Sequence, residues 1–316
     1  MANNKYSLGI DIGGTNTIYG FITRDGSIIF HDEIPTNGAK PISDLIGRIS
    51  DNVEEFFSKN QEYSLKGIGI GAPNGNHYTG MIQSPPNLSW GNIDIVSLFS
   101  EKINCKTLLT NDANAAALGE KFFGLAKNME DFVVVTLGTG LGSGIFSSGK
   151  LLYGHDGFAG EMGHISIDFN GRLCNCGNKG CLESYASATG IKITIKKFLE
   201  KDSQNAFLQT LFRDNIDGFL LDKAYDEGNE TAIKIYRFTG EKLGQGLSLV
   251  ANLLSPEAFI FYGGFSNAGE RILSSARKSM KDNVINNSGK DIKLIQSGLP
   301  QGQAGILGAA SLIWTK

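Results

Sequence analysis

An α/β fold of two related lobes is predicted for this 316-residue chain, on three observations. Strand-like and helix-like segments alternate along it. One supersecondary pattern occurs twice: apolar strand, Gly/Thr turn, strand ending in Gly plus an apolar pair, tight turn, strand. Its copies are "IGGTNTIYGFITRDGSII" and "LGTGLGSGIFSSGKLL", about 125 residues apart. Two copies imply a pseudo-twofold pair of lobes, whereas a solenoid needs three or more repeats. A mass of 34.0 kDa is enough for each lobe to have its own core.

The elements follow in order. Tyr6 to Ile10, Thr17 to Thr23 and Ile28 to Glu33 read as a three-stranded meander, with "DIGGTN" and "RDGS" as its turns. A helix follows Pro41, because Ile42, Leu45, Ile46, Ile49, Val53 and Phe57 recur at spacings of three and four. "LKGIGIGAP" reads as a buried strand entering a glycine-rich loop. "KTLLTND" is another strand, and Asp112 to Phe123 an alanine-rich helix. The second copy of the meander comes next. A helix near 239–254, the strand "AFIFYGG", a helix near 268–282, the strand "IKLIQS" and a small-residue helix from Gln303 complete the chain. The lobe boundary falls between residues 112 and 130. Taken at 115/116, it gives an N-terminal lobe 1–115, which the C-terminal helix is placed to complete, and a C-terminal lobe 116–316.

Composition narrows the function classes. Net charge is −3 with a pI near 5.9, so no electrostatic footprint for nucleic acid is present. No apolar stretch is long enough to span a bilayer. The N-terminus "MANNKYSLGID" has no basic n-region, apolar h-region or cleavage site. The cytoplasm is therefore the expected compartment, where thiols stay reduced and structural disulfides are rare.

That compartment bears on "CNCGNKGCLE", which holds three of the four cysteines. A staple is disfavoured by the compartment, and three thiols cannot all pair with one another. A redox role is disfavoured because no C-x-x-C is present. His164 lies ten residues before Cys174, and His164, Cys174, Cys176 and Cys181 make a Cys₃His set, enough for a closed tetrahedral zinc site in segment 164–183.

Other constellations carry further chemistry. "GIDIGGTN" puts Gly13, Gly14, Thr15 and Asn16 between strands, where glycines let backbone N–H groups approach an anion. Alone it reads as a hairpin turn, and it is no P-loop because no lysine follows. Its second copy, with Gly138, Thr139 and Gly140, is what a duplicated phosphotransferase gripping one polyphosphate would need. Asp11, ending its strand, is placed to hold Mg²⁺ directly or through water. Asn111 and Asp112 sit at a strand-to-helix junction, where either a helix cap or a carboxylate accepting a hydroxyl proton fits. Glu161 and His164, three apart in "GFAGEMGHISI", fit a structural ion pair and a core histidine, or a polar ligand site.

Together, "DIGGTN", "GAPNG", "NDANAAALGE", "LGTGLGSG", "GEMGH" and "CNCGNKGCLE" resemble, in order, the motifs of the ROK family of sugar kinases and sugar-responsive repressors. The resemblance runs from about residue 7 to 312. It implies the two-lobed actin/hexokinase-like (ribonuclease H-like) ATPase fold and transfer of the γ-phosphoryl of ATP to a sugar hydroxyl. By position it implies that Asp112 is the catalytic base, and that Asn111 and Asp112, Asn87 in "PPNLSW", Glu161, His164 and Glu183 bind the sugar. It assigns His164, Cys174, Cys176 and Cys181 to zinc. It gives the turns at 9–16 and 137–144 to the phosphates, and Gly263 and Gly264 to adenosine. Three positions depart from the pattern. Asn16 stands where a basic residue is frequent, Tyr262 replaces the first of a usual glycine triplet, and Ser255 precedes Pro256 where Asn is common.

The resulting expectation is a cytoplasmic hexose kinase, most simply a glucokinase acting on the 6-hydroxyl with Mg-ATP. Its partners would be hexose and ATP, with no nucleic acid and no membrane, and its assembly a homodimer or larger homo-oligomer. N-acetylmannosamine, N-acetylglucosamine and fructose kinases use the same residues. A sugar-responsive repressor is the reading of a different class. It is disfavoured because only about eight residues precede Gly9, leaving no room for an N-terminal winged helix.

Overall fold

The first strand, β1 (Lys5–Ile12), is buried on both faces, and its alternation shows why. Leu8, Ile10 and Ile12 enter one hydrophobic core, while Ser7, Gly9 and Asp11 point the other way. β2 (Asn16–Ile22) and β3 (Ile28–Pro35) follow as an antiparallel meander. β3 alternates between half-buried and exposed residues, as suits an edge strand. α1 (Ile42–Lys59) lays Leu45, Ile46, Ile49 and Val53 on the first core, each fully buried aliphatic contributing roughly 1.5–3 kcal/mol.

β4 (Ser64–Ala72) pairs parallel to β1. Its alternating "GIGIGA" divides by face. Ile68, Ile70 and Ala72 join the same core as α1, and the intervening glycines admit the C-terminal helix. A short hairpin of β5 (Met81–Gln83) and β6 (Asn92–Asp94), the helix α2 (Ile95–Ile103), the parallel strand β7 (Thr107–Asn111) and α3 (Asp112–Phe122) follow.

The second half contains β8 (Phe132–Leu137), β9 (Leu141–Ser147) and β10 (Lys150–Leu151). Four helices come next: α4 (Ala188–Lys201), α5 (Ala206–Arg213), α6 (Gly218–Asp226) and the long α7 (Glu230–Leu254). β11 (Ala258–Tyr262), α8 (Glu270–Asn283), β12 (Lys293–Gln296) and α9 (Ala304–Ser311) end the chain. This is a computed structural model, and it describes residues 5–85, 88–213, 218–285, 291–300 and 302–314.

The duplication read from the glycine turns is present in the sheets. One sheet has the order β3-β2-β1-β4-β7 and the other β10-β9-β8-β11-β12, the same sequence of places in each. β8, β11 and β12 run parallel, as β1, β4 and β7 do. Two compact units result. One comprises Met1–Met129, Gly144–Ala159 and Ser297–Lys316, and the other Glu130–Ser143 and Gly160–Gln296.

α9 belongs to the first unit and packs at backbone distance. A Cβ at Gly69 would lie 1.7 Å from the carbonyl oxygen of Ala309, and one at Gly308 1.6 Å from that of Ala115. Only glycine fits either place. Among the described residues, no helix is long and apolar enough to cross a membrane.

Candidate active site and metal cluster

In the first unit, the C-terminal ends of β1, β4 and β7 bring Asp11, Asn111 and Asp112 together. Gly71 pairs with Asp11 in register, and a Cβ there would lie 3.7 Å from Asp11 Oδ1 and 3.8 Å from Asp112 Cα. Asn111, not Asp112, is the N-cap of α3. Its side chain accepts from Ala113 N at 2.9 Å, with φ −65° and ψ 150°. Asp112 is the first helical residue. Its Oδ1 accepts from the same amide at 2.8 Å, and Oδ2 takes no hydrogen bond from a described residue.

Both carboxyls are perturbed. Burial, then the charge of Asp112, raises Asp11 to about 7. Desolvation also raises Asp112, partly opposed by the Ala113 amide. The Asp112 side chain is nevertheless exposed.

The turn after β1 closes through Gly13 N to Asn16 O at 2.9 Å, leaving Gly14, Thr15 and Asn16 exposed. Thr36 braces it, donating from N to Thr15 O at 2.7 Å and from Oγ1 to Gly13 O at 2.8 Å. The Asn16 amide, at the position where the family pattern favours a base, donates to Glu33 Oε1.

In the second unit, the turn between β8 and β9 closes through Gly138 N to Gly140 O at 3.0 Å. Two kinds of glycine separate here. At Gly138 and Gly264 a Cβ would meet nothing within 4 Å, so a ligand can reach the backbone. At Gly263, with φ +101°, a Cβ would lie 2.6 Å from Leu137 O, so that glycine serves the chain's own packing.

His164, Cys174, Cys176 and Cys181 converge, their ligand atoms all lying within 4.8 Å of one another. The four cysteines are free. Cys176 Sγ is 3.6 Å from Cys181 Sγ, and Cys174 Sγ is 3.8 Å from His164 Nδ1. A tetrahedron with zinc–sulfur bonds of about 2.3 Å has edges of about 3.8 Å, so the set fits a four-coordinate thiophilic metal. Backbone bonds shape the loop, with Cys174 N donating to Asn178 O at 2.8 Å and Gly177 N to Cys174 O at 3.0 Å.

The other His164 nitrogen, Nε2, lies 3.9 Å from Glu161 Oε2. The side chains of both residues are substantially exposed, at 35% and 51%, which sets aside the core-histidine reading. Glu183 is more enclosed than its sugar-ligand assignment implies. Its Oε2 accepts from Leu141 N at 2.9 Å, and its Oε1 is 3.8 Å from Cys174 Sγ. Asn87 lies outside the described residues.

Sequence reasoning missed Arg172. It is buried, donates to Ser184 O at 2.8 Å, Gly190 O at 3.0 Å and Thr194 Oγ1 at 2.9 Å, and stacks on Tyr185. It thereby fixes the cysteine loop to α4. The one available signal was a lone arginine inside the glycine- and cysteine-rich run.

The profile described as "ROK family" matches residues 7–316. The glucokinase of Thermotoga maritima is 33% identical over 312 residues, covering 97% of this chain and 96% of that protein. The xylose repressor of Bacillus spizizenii is 34% identical over 313 residues, covering 98% of this chain and 77% of that protein. Among solved structures, a ROK family glucokinase from Streptomyces griseus in complex with glucose and AMPPNP matches with a TM-score of 0.81 at 30% identity, covering 97% and 98% of the two chains. The fold is the two-lobed actin/hexokinase-like type, in agreement with the repeated strand order.

Proposed function

Because the chain belongs to the ROK family, we propose that it is a hexose kinase that transfers the γ-phosphoryl of ATP to a sugar 6-hydroxyl, with glucose as its preferred acceptor. One observation carries the chemical part. A carboxylate with a raised pKa stands at the β7–α3 junction, held through Oδ1 by Ala113 N, with no described residue donating to Oδ2.

Phosphoryl transfer has a loose transition state, so positioning and charge neutralisation do most of the catalysis. Asp112 Oδ2 accepts the hydroxyl proton and aims the oxygen. Asn111, Asn87, Glu161, His164 and Glu183 are assigned to the sugar hydroxyls. The backbone at Gly13–Asn16 and at Gly138–Gly140 is assigned to the phosphates, and Gly263–Gly264 to adenosine. The open space at Gly138 and Gly264 supports those last two assignments.

Mg²⁺ suits Asp11, whose carboxyl is crowded by the charge of Asp112; a divalent cation there offsets that repulsion. When bound, the ion supplies charge neutralisation to the phosphates. Zn²⁺ suits His164, Cys174, Cys176 and Cys181, as a structural metal with no ligand position left open. Assembly as a homodimer or larger homo-oligomer belongs to the same reading.

A sugar panel with Mg-ATP tests the proposal. Glucose should give the highest kcat/KM, and 6-deoxyglucose should bind without being phosphorylated. Preference for an N-acetylhexosamine or fructose would change the substrate and keep the chemistry. Sugar binding with no turnover of any acceptor would instead support the sensor reading, which the similarity to a xylose repressor raises.

A further inference from the structure

One short segment grips the second glycine turn at three points. Glu183 Oε2 accepts from Leu141 N at 2.9 Å. The first amides of α4, Ala188 N and Thr189 N, donate to Gly138 O at 3.0 Å and Thr139 O at 3.3 Å. The gripping segment is itself fixed. Ser187 Oγ donates to Glu183 O at 2.8 Å and accepts from Gly190 N at 3.0 Å as the cap of α4.

The glycine at 140 has its explanation here. A Cβ at that position would lie 2.3 Å from Glu183 Oε2, so Gly140 makes room for the carboxylate. Gly138, two residues earlier, has open space instead. The turn therefore has a ligand side and a mounting side, and Glu183 is on the mounting side.

We propose that Glu183 is a positioning residue for the turn Gly138–Leu141, and that through this turn it governs nucleotide affinity, separately from any contact its other oxygen makes with sugar. The proposal rests on the kinase reading above for the identity of the ligand. A Gly-Thr-Gly turn left unheld must be ordered when the ligand binds, and a turn ordered beforehand avoids that cost. Oε2 does the holding. A neutral amide oxygen at the same place can accept the same bond, whereas a methyl group cannot.

The test compares Glu183→Ala and Glu183→Gln in the full chain. It measures hydrogen exchange at the amides of residues 138–141 without ligand, and AMPPNP and glucose binding by calorimetry. Glu183→Ala should lose protection at Leu141 N and bind AMPPNP about tenfold more weakly, the scale of one lost charge-assisted hydrogen bond. Glu183→Gln should restore protection and bring AMPPNP affinity to within about threefold of wild type, an ordinary amide-acceptor difference. Wild-type protection of Leu141 N in Glu183→Ala would overturn the proposal. So would AMPPNP affinity as weak in a protected Glu183→Gln as in Glu183→Ala. If Glu183→Ala does not fold, Gly140→Ala must show the same loss of protection by crowding Oε2 away. A wild-type protein that binds no AMPPNP would sink the kinase reading alone, since the exchange data would still decide the mount.

Discussion

Asn111 and Asp112 direct an oxygen each at one donor, the amide of Ala113, at 2.9 and 2.8 Å. Asn111 already caps α3, so Asp112 is free of that duty and keeps one oxygen available. Asp112→Asn should therefore leave thermal stability nearly unchanged, while kcat falls by about 10²-fold or more. Asn111→Ala should cost about 1 kcal/mol of stability through the lost cap. Thermal unfolding and steady-state kinetics on both variants separate the two roles. Full turnover by Asp112→Asn would end its assignment as base.

Asp11 predicts a pH signature in stability. Its folded pKa is raised to about 7 from an ordinary value near 4, so the folded state holds a proton that the unfolded state has released between those limits. The contribution of this group to stability is thus greatest near pH 4 and is lost as pH rises towards and past 7. Asp11→Asn should melt higher than wild type at pH 8 in magnesium-free buffer, with the gap closing towards pH 4. A gap that widens in acid would contradict the assignment.

The two kinds of glycine give opposite expectations. Gly264→Ala adds a methyl group in open space, so the melting temperature should hold while nucleotide binding weakens by about tenfold or more through loss of close approach. Gly263→Ala places a Cβ 2.6 Å from Leu137 O at φ +101° and should destabilise the fold itself. Melting curves with AMPPNP titrations decide between them.

The purified protein should contain about one zinc per chain, the ratio for one four-ligand site. Cys176→Ser should lose it and weaken glucose binding, because zinc would hold His164, whose Nδ1 lies 3.8 Å from Cys174 Sγ, and so fix Nε2 beside Glu161. The sequence alone places that effect on sugar well before nucleotide. With Glu183 lying between Cys174 and Leu141 N, metal loss should also loosen the phosphate turn. Metal analysis with paired sugar and nucleotide titrations checks both. Metal-free protein with normal glucose affinity would refute the coupling.

The repeated strand order was legible because its signal is local: apolar runs separated by Gly/Thr turns, twice in the same order. The cluster was legible because thiols and imidazole are scarce and their chemistry is distinctive. α4, α5 and α6 went unread, since residues 188–226 carry no chemical motif and the turn-forming run "KDSQN" was not used to divide them. The helix expected near 239 begins at Glu230, capped by Asn229, whose side chain accepts from Thr231 N and Ala232 N. The mount of the second turn could not be read either. Its partners there are backbone groups of Gly138, Thr139 and Leu141, and every residue carries those.

The placement of α9 imposes a schedule on synthesis. The grooves that receive it, at Gly69 beside Ala309 and Ala115 beside Gly308, are made from residues that leave the ribosome some two hundred positions earlier. Until α9 emerges, the glycine-bearing faces of β1 and β4 and one side of α3 are without their cover. The nascent chain must carry those faces through the whole translation of the second unit. A chain cut before α9 would therefore leave those faces and the small cluster around Ile22 and Ile306 open, and chaperone demand during translation should peak once the second unit is made and α9 is not.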